Sequence, residues 1–195
     1  MLNKKKALRK IIKVRVSAIS AAERRKREEI LHNNLFSMPE FLSASSVMLF
    51  ANLPDEIDTF SLIDKCFAMG KKVFLPVING DDMTVAEFTG EYKEGRFGIK
   101  EPVINTTLPT LTPHSSLLFP NGHQHVQTPN SIDFALIPGV GFSPSGYRLG
   151  RGKGFYDKFL SKHPLFTVGV CFREQFFLDI PTEPHDVPMN KVLVI

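Results

Sequence analysis

Twelve residues from Gly146 to Asp157, Gly-Tyr-Arg-Leu-Gly-Arg-Gly-Lys-Gly-Phe-Tyr-Asp, interleave four glycines with three cations. Glycines at positions 146, 150, 152 and 154 permit positive φ and let backbone N–H groups approach an anion closely. Arg148, Arg151 and Lys153 supply positive charge, and a helix beginning directly afterwards adds its positive N-terminal end. That combination suits a polyphosphate. It is not the common P-loop, because no Ser or Thr follows Lys153. Nor does the spacing fit the dinucleotide-binding fingerprint. Asp157 falls one turn into the expected helix, where a carboxylate can meet a metal held by phosphates or simply complement the helix dipole.

Such a loop needs a strand before it and a helix after it. The apolar run Asp133 to Ile137, ending at Pro138-Gly139, predicts the strand, and Lys153 to Lys162 the helix. Near the N-terminus, Ala7, Leu8, Ile11, Ile12, Val14 and Val16 mark mostly one helical stripe between Asn3 and about Ile19. Ser20-Ala-Ala-Glu23 is a capping box that opens a second helix running to about Phe36. Ser46 to Ala51 reads as a buried strand, followed by a helix that Asp58 or Thr59 caps and Gly70 ends. Strands are expected at Val73–Val77, Met83–Phe88, Thr167–Phe172 and Val192–Ile195. Strands alternating with helices imply an α/β fold: a single three-layer domain over residues 1–195, with a mainly parallel central sheet flanked by helices. Residues 105–131, rich in Pro, Thr, Asn and His and without period, read as a surface excursion. The His123 and His125 pair within it is taken as part of that loop rather than as a zinc site.

Composition limits the function classes. Hydrophobic residues make up 43% and charged residues 23%, a balance for a water-soluble globule. No apolar run approaches the ~20 residues needed to cross a bilayer, and no secretory signal opens the chain. Cys66 and Cys171 sit far apart among apolar neighbours, as buried thiols of a reducing compartment do. The expected location is therefore the cytoplasm. Residues 1–31 carry eleven Lys or Arg against three acids, so this arm holds +8 while the remainder holds −4. Such an arm fits nucleic acid, a membrane surface, an organelle address, a phosphorylated ligand or a solvated helix face.

The Gly146–Asp157 segment resembles the signature of the 5-formyltetrahydrofolate cyclo-ligases, also called methenyltetrahydrofolate synthetases. Further motifs resemble that family in the same order along the chain. They are Lys5-Lys-Ala-Leu-Arg9, Asp55-Glu-Ile-Asp-Thr59, Phe97-Gly-Ile-Lys-Glu-Pro102, Asp133 to Gly141, Glu174-Gln175 and Pro181 to Asp186. The resemblance implies an enzyme that uses ATP and Mg2+ to close 5-formyltetrahydrofolate into 5,10-methenyltetrahydrofolate, releasing ADP and phosphate after phosphorylation of the formyl oxygen.

Carried over by residue, the resemblance assigns the nucleotide to Lys5, Arg9, Arg148, Leu149, Gly150, Arg151, Gly152, Lys153, Gly154, Phe155 and Tyr156. Arg148, Arg151 and Lys153 would act on the transferring phosphoryl group. Ala51, Glu56, Arg151 and Phe155 would meet the folate, and Asp157 and Asp186 the magnesium. Phe155 stands where many members carry Tyr, so ring stacking is kept while a phenol contact is lost. On this reading Lys5 and Arg9 return to the phosphates, which argues against a cleaved leader. The expected partners are 5-formyltetrahydrofolate and ATP, with no nucleic acid and no membrane, on a monomer. A rival, a nucleotide- or RNA-binding module without catalysis, is favoured by the basic arm and opposed by Glu56, Asp157 and Asp186.

Overall fold

The computed structural model describes residues 2–94, 100–104 and 132–195. The excursion at 105–131, with His123 and His125, and the Phe97–Ile99 part of one motif lie outside the described residues. The chain opens with α1 (Leu2–Ser17), α2 (Ala21–Leu35), α3 (Pro39–Ser43), β1 (Ser46–Met48) and α4 (Phe60–Ala68). It continues with β2 (Lys72–Asn79), β3 (Asp82–Glu94), β4 (Lys100–Ile104), β5 (Phe134–Pro138), β6 (Gly141–Phe142) and β7 (Arg148–Leu149). The last elements are α5 (Phe155–Lys162), β8 (Thr167–Cys171), a 3-10 turn at Arg173–Gln175 and β9 (Lys191–Val194).

Local chemistry sets these limits. Ser20 caps α2 by accepting the Glu23 N–H at 3.2 Å, as its capping-box sequence predicts. Gly70, at φ +75°, turns the chain after α4 in a conformation that L side chains avoid. Lys71 donates to the carbonyls of Phe41, Leu42 and Ala44, which satisfies the C-terminal end of α3. A helix of five residues is too short to show a helical period, so α3 has no signal in the sequence.

Seven strands form one sheet in the order β4-β3-β2-β1-β5-β8-β9. β2, β1, β5, β8 and β9 run parallel, while β3 and β4 extend the β2 edge antiparallel. Asp133 fixes the central β1–β5 register: its Oδ2 accepts from the N–H groups of Ser45 and Ser46 and from the Ser46 hydroxyl.

Side chains alternate across the sheet with period two. Val47, Leu49, Val73, Leu75, Phe134, Leu136, Val168 and Val170 pack with Ile12, Leu31, Phe41, Leu62 and Ile63 of α1 to α4. Met48, Phe74, Ala135, Ile137 and Cys171 pack on the other face with Phe142, Phe159 and Leu160. Three layers result, with α5 and the β6–β7 hairpin covering the second face. The hairpin interrupts what the sequence presents as one strand–loop–helix run.

The order of the strands creates the site. β1 leads through α4 to β2 on one side, whereas the chain after β5 leads through α5 to β8 on the other. The loops leaving the carboxyl ends of β1 and β5 therefore diverge, and a crevice opens between them.

Candidate active site at the β1–β5 crevice

The loop after β1 is held by its own polar side chains. Thr59, fully buried, donates its hydroxyl to the Phe50 carbonyl, and its N–H reaches Asn52 Oδ1 at 3.0 Å. Within that frame Glu56 bonds back on Leu53: Oε2 accepts the Leu53 N–H at 3.0 Å, and the Glu56 N–H donates to the Leu53 carbonyl at 2.9 Å. Ala51 lies half-buried at the loop's start.

The loop after β5 is held by Gln175. Its Nε2 donates to the Gly139 and Val140 carbonyls, both at 3.1 Å, and its Oε1 accepts the Phe172 N–H at 2.9 Å. Gly139 is tightly enclosed: a Cβ there would stand 2.7 Å from the Phe142 ring and 2.8 Å from Arg148 Cγ. Gly146, at φ +83°, closes the β6–β7 turn and accepts the Met189 N–H at 2.9 Å.

Beyond β7 the glycine loop runs under α1. Arg9 Nε donates to the Gly150 carbonyl at 2.9 Å, which brings the N-terminal helix onto the loop. Gly152 and Gly154 hold φ of +105° and +68°, and Gly154 caps α5. Arg151 and Lys153 are exposed, and Lys153 makes no salt bridge among the described residues. Phe155 and Tyr156 are half-buried against the second core cluster. Leu149 is buried in the first cluster, and its carbonyl accepts the Val140 N–H at 2.8 Å within the hairpin. Arg148 is also buried, with Nη2 bonded to Asp157 Oδ2 at 2.9 Å and its guanidinium 5.2 Å from the Tyr156 ring centre. Burial raises the Tyr156 phenol pKa, while the Arg148 charge pulls it back. Tyr156 is thus a packed, protonated wall.

The remaining expected residues meet in pairs. Arg151 Nη2 reaches Asp55 Oδ1 at 2.7 Å and Glu56 Oε1 at 3.0 Å, which links the two loops across the crevice. Lys5 Nζ lies 3.1 Å from both Asp186 Oδ2 and Glu183 Oε2. Burial draws the Lys5 ammonium pKa down, and the bonds to these two acids outweigh it, so the net shift is upward.

Glu183, His185 and Asp186 place their ligand atoms within 4.8 Å of one another, and the two carboxylates suit a hard divalent cation. Asp157 is not in that cluster; its Oδ1 faces the Val187 N–H at 3.4 Å, one residue beyond Asp186. Lys5 engages Asp186 Oδ2 and Glu183 Oε2, and Arg148 engages Asp157 Oδ2, so each of the three carboxylates keeps a second oxygen outside these bonds.

Comparison with known proteins decides the family. The profile of the 5-formyltetrahydrofolate cyclo-ligase family matches residues 1–195. The chain belongs to the 5-formyltetrahydrofolate cyclo-ligase family. The mouse 5-formyltetrahydrofolate cyclo-ligase is 26% identical over 97% of this chain and 92% of its own length. The solution structure of Aquifex aeolicus 5,10-methenyltetrahydrofolate synthetase superposes with a TM-score of 0.75 at 30% identity, covering 97% of this chain and 89% of that one. The Mycoplasma pneumoniae synthetase shares the fold, with a TM-score of 0.69 at 22% identity over 96% of both chains.

In this cyclo-ligase-family chain, several residues singled out in the sequence lie around the crevice, whereas the groups that hold its loops carry no local signal. Asp55 lies in the motif that resembles the family's folate-contacting segment and Glu183 in the C-terminal one, but neither is singled out by its residue type. Nothing in sequence reveals that the one amide of Gln175 satisfies three backbone groups. His185 lies in a turn, exposed, at the edge of the Lys5 cluster.

Proposed function

We propose that this chain closes 5-formyltetrahydrofolate to 5,10-methenyltetrahydrofolate at the expense of ATP, with the β1–β5 crevice as its active site. The supporting observation is the Arg151 bridge, which brings the glycine–cation loop against the Glu56 loop at a sheet switch point. Phosphates lie along Gly150–Gly154, approached by Lys5 and Arg9 from α1 and by Lys153 from the loop. The pterin lies toward Ala51, Glu56 and Phe155; the Glu56 carboxylate accepts its N–H donors and Phe155 offers a ring face.

The formyl oxygen attacks the γ-phosphorus, and the bond from that phosphorus to the ADP oxygen breaks. N10 then attacks the activated carbon and gives up its proton; the carbon–oxygen bond breaks, and phosphate departs with the formyl oxygen. Arg151 and Lys153 supply fixed charge where phosphoryl charge spreads, and the locked loops orient the acceptor oxygen. Arg148 acts from beneath, by fixing the loop and Asp157. Asp157 and Asp186, with Glu183 beside them, would hold magnesium, whose charge offsets that of the phosphates when bound. The protein is proposed to act as a single-domain monomer in the cytoplasm. A single sheet that contains both β1 and β9 supports one domain, and no helix among the described residues is long and apolar enough to cross a membrane.

The route of the oxygen tests this reading. Substrate labelled with 18O in the formyl group should yield inorganic phosphate carrying the label. Unlabelled phosphate formed together with the methenyl product would exclude phosphorylation at that oxygen.

A further inference from the structure

A single nitrogen of Arg151 is shared by two adjacent carboxylates, Asp55 at 2.7 Å and Glu56 at 3.0 Å. The two acids are in different situations. The Glu56 side chain is 14% exposed and its second oxygen is taken by the Leu53 N–H, whereas that of Asp55 is 52% exposed. Both Glu56 oxygens are therefore engaged before any ligand arrives. On the function proposed above, which this inference takes as its basis, the pterin must replace the guanidinium on Glu56. A guanidinium displaced with no second acceptor loses a charge-assisted hydrogen bond. With Asp55 beside it, Arg151 exchanges partners instead and stays at the mouth of the phosphate loop.

We propose that Asp55 is a positioning residue for this reaction: it retains Arg151 when folate occupies Glu56, and so keeps a cation between the folate and phosphate half-sites. Asp55 itself touches neither substrate. An exposed ion pair taken alone contributes little. Three features set this one apart. The acids come from a loop locked by Thr59 and Asn52, the cation comes from the opposite loop, and the nitrogen is already shared.

The test is steady-state kinetics on the whole protein and on Asp55→Asn, Asp55→Glu, Arg151→Gln and the Asp55→Asn/Arg151→Gln double variant. Asp55→Asn should raise the KM for 5-formyltetrahydrofolate about two- to fivefold, the size of one exposed charge pair, with kcat changed less than about twofold. Asp55→Glu should restore the KM, which a general loss of folding would not allow. In the Arg151→Gln background, Asp55→Asn should add nothing further. An unchanged folate KM in Asp55→Asn, an equal fall in kcat, or additive effects in the double variant would each overturn the proposal while leaving the cyclo-ligase reading intact. Failure of the unsubstituted protein to turn over 5-formyltetrahydrofolate would instead defeat that reading, and this inference with it.

Discussion

Arg148 and Asp157 form a buried ion pair, Nη2 to Oδ2 at 2.9 Å, that ties strand β7 to the first turn of α5. The glycine loop between them is therefore clamped at both ends, with Arg151, Gly152 and Lys153 exposed between the clamps. Pre-set geometry of this kind spares the loop an ordering cost when phosphates bind.

Breaking that clamp should cost stability as well as activity. Arg148 Nε already lacks a hydrogen-bond partner, so the ion pair with Asp157, beside the Tyr156 ring face, is what compensates this buried charge. Arg148→Met or Asp157→Asn should each lower unfolding stability by about 3 kcal/mol, because each leaves the other group unpaired. Urea denaturation reads this directly. The double variant should cost less than the two singles together; simple additivity would mean that the pair is not coupled.

Lys153 and Arg9 should separate binding from folding. Lys153 is exposed, and Arg9 makes one hydrogen bond to the Gly150 carbonyl. Lys153→Ala and Arg9→Ala should each raise the KM for ATP about tenfold, the size of one charge-assisted contact. Thermal unfolding should shift by only a few degrees, about 1 kcal/mol. A loss of folding in proportion to the loss of activity would contradict a role in the site.

Gly146 is a steric prediction. Its φ is +83°, and a Cβ there would collide with the Met189 carbonyl. Gly146→Ala should destabilise by about 2 kcal/mol or more. Gly80→Asn makes the control: φ there is +61° with open space around it, and Asn tolerates that conformation. Equal melting temperatures for the two variants would show that the Met189 contact is not tight.

Acid should act through Glu174. Two hydrogen bonds from Arg27, at 2.6 and 3.1 Å, hold its carboxyl below the usual carboxylate range. An acid depressed in the folded state stabilises above its unfolded pKa, and that contribution is lost as pH falls through the folded value. Glu174→Gln should therefore be less stable near neutrality by about 1 kcal/mol, with the difference closing as pH drops below about 4. A gap that stays constant down that pH range would show that the bond to Arg27 does not depend on the carboxylate charge.

The parts of this account legible in sequence were those with a local signature. Ser20 and Glu23 announced a cap, Gly70 a helix end, and the alternating apolar runs the strands. The glycine–cation loop stands out in the sequence as a candidate phosphate cradle because four glycines alternate with three cations there. The β6–β7 hairpin was not legible: two-residue strands have no period, and their partner lies across a turn closed by Met189. Arg148 reads in sequence as one of three equivalent cations, and only tertiary contact separates it, buried beneath the loop, from Arg151 and Lys153 above. The Arg151 bridge is a contact over 95 residues, beyond the reach of any local rule.

The most direct test of the central claim is to follow methenyl product by its absorbance when the purified protein meets 5-formyltetrahydrofolate, with ATP and magnesium supplied or withheld. Product that requires both, and that falls sharply in Lys153→Ala while the protein stays folded, is the predicted result. Folded protein that binds ATP yet yields no methenyl product would contradict it.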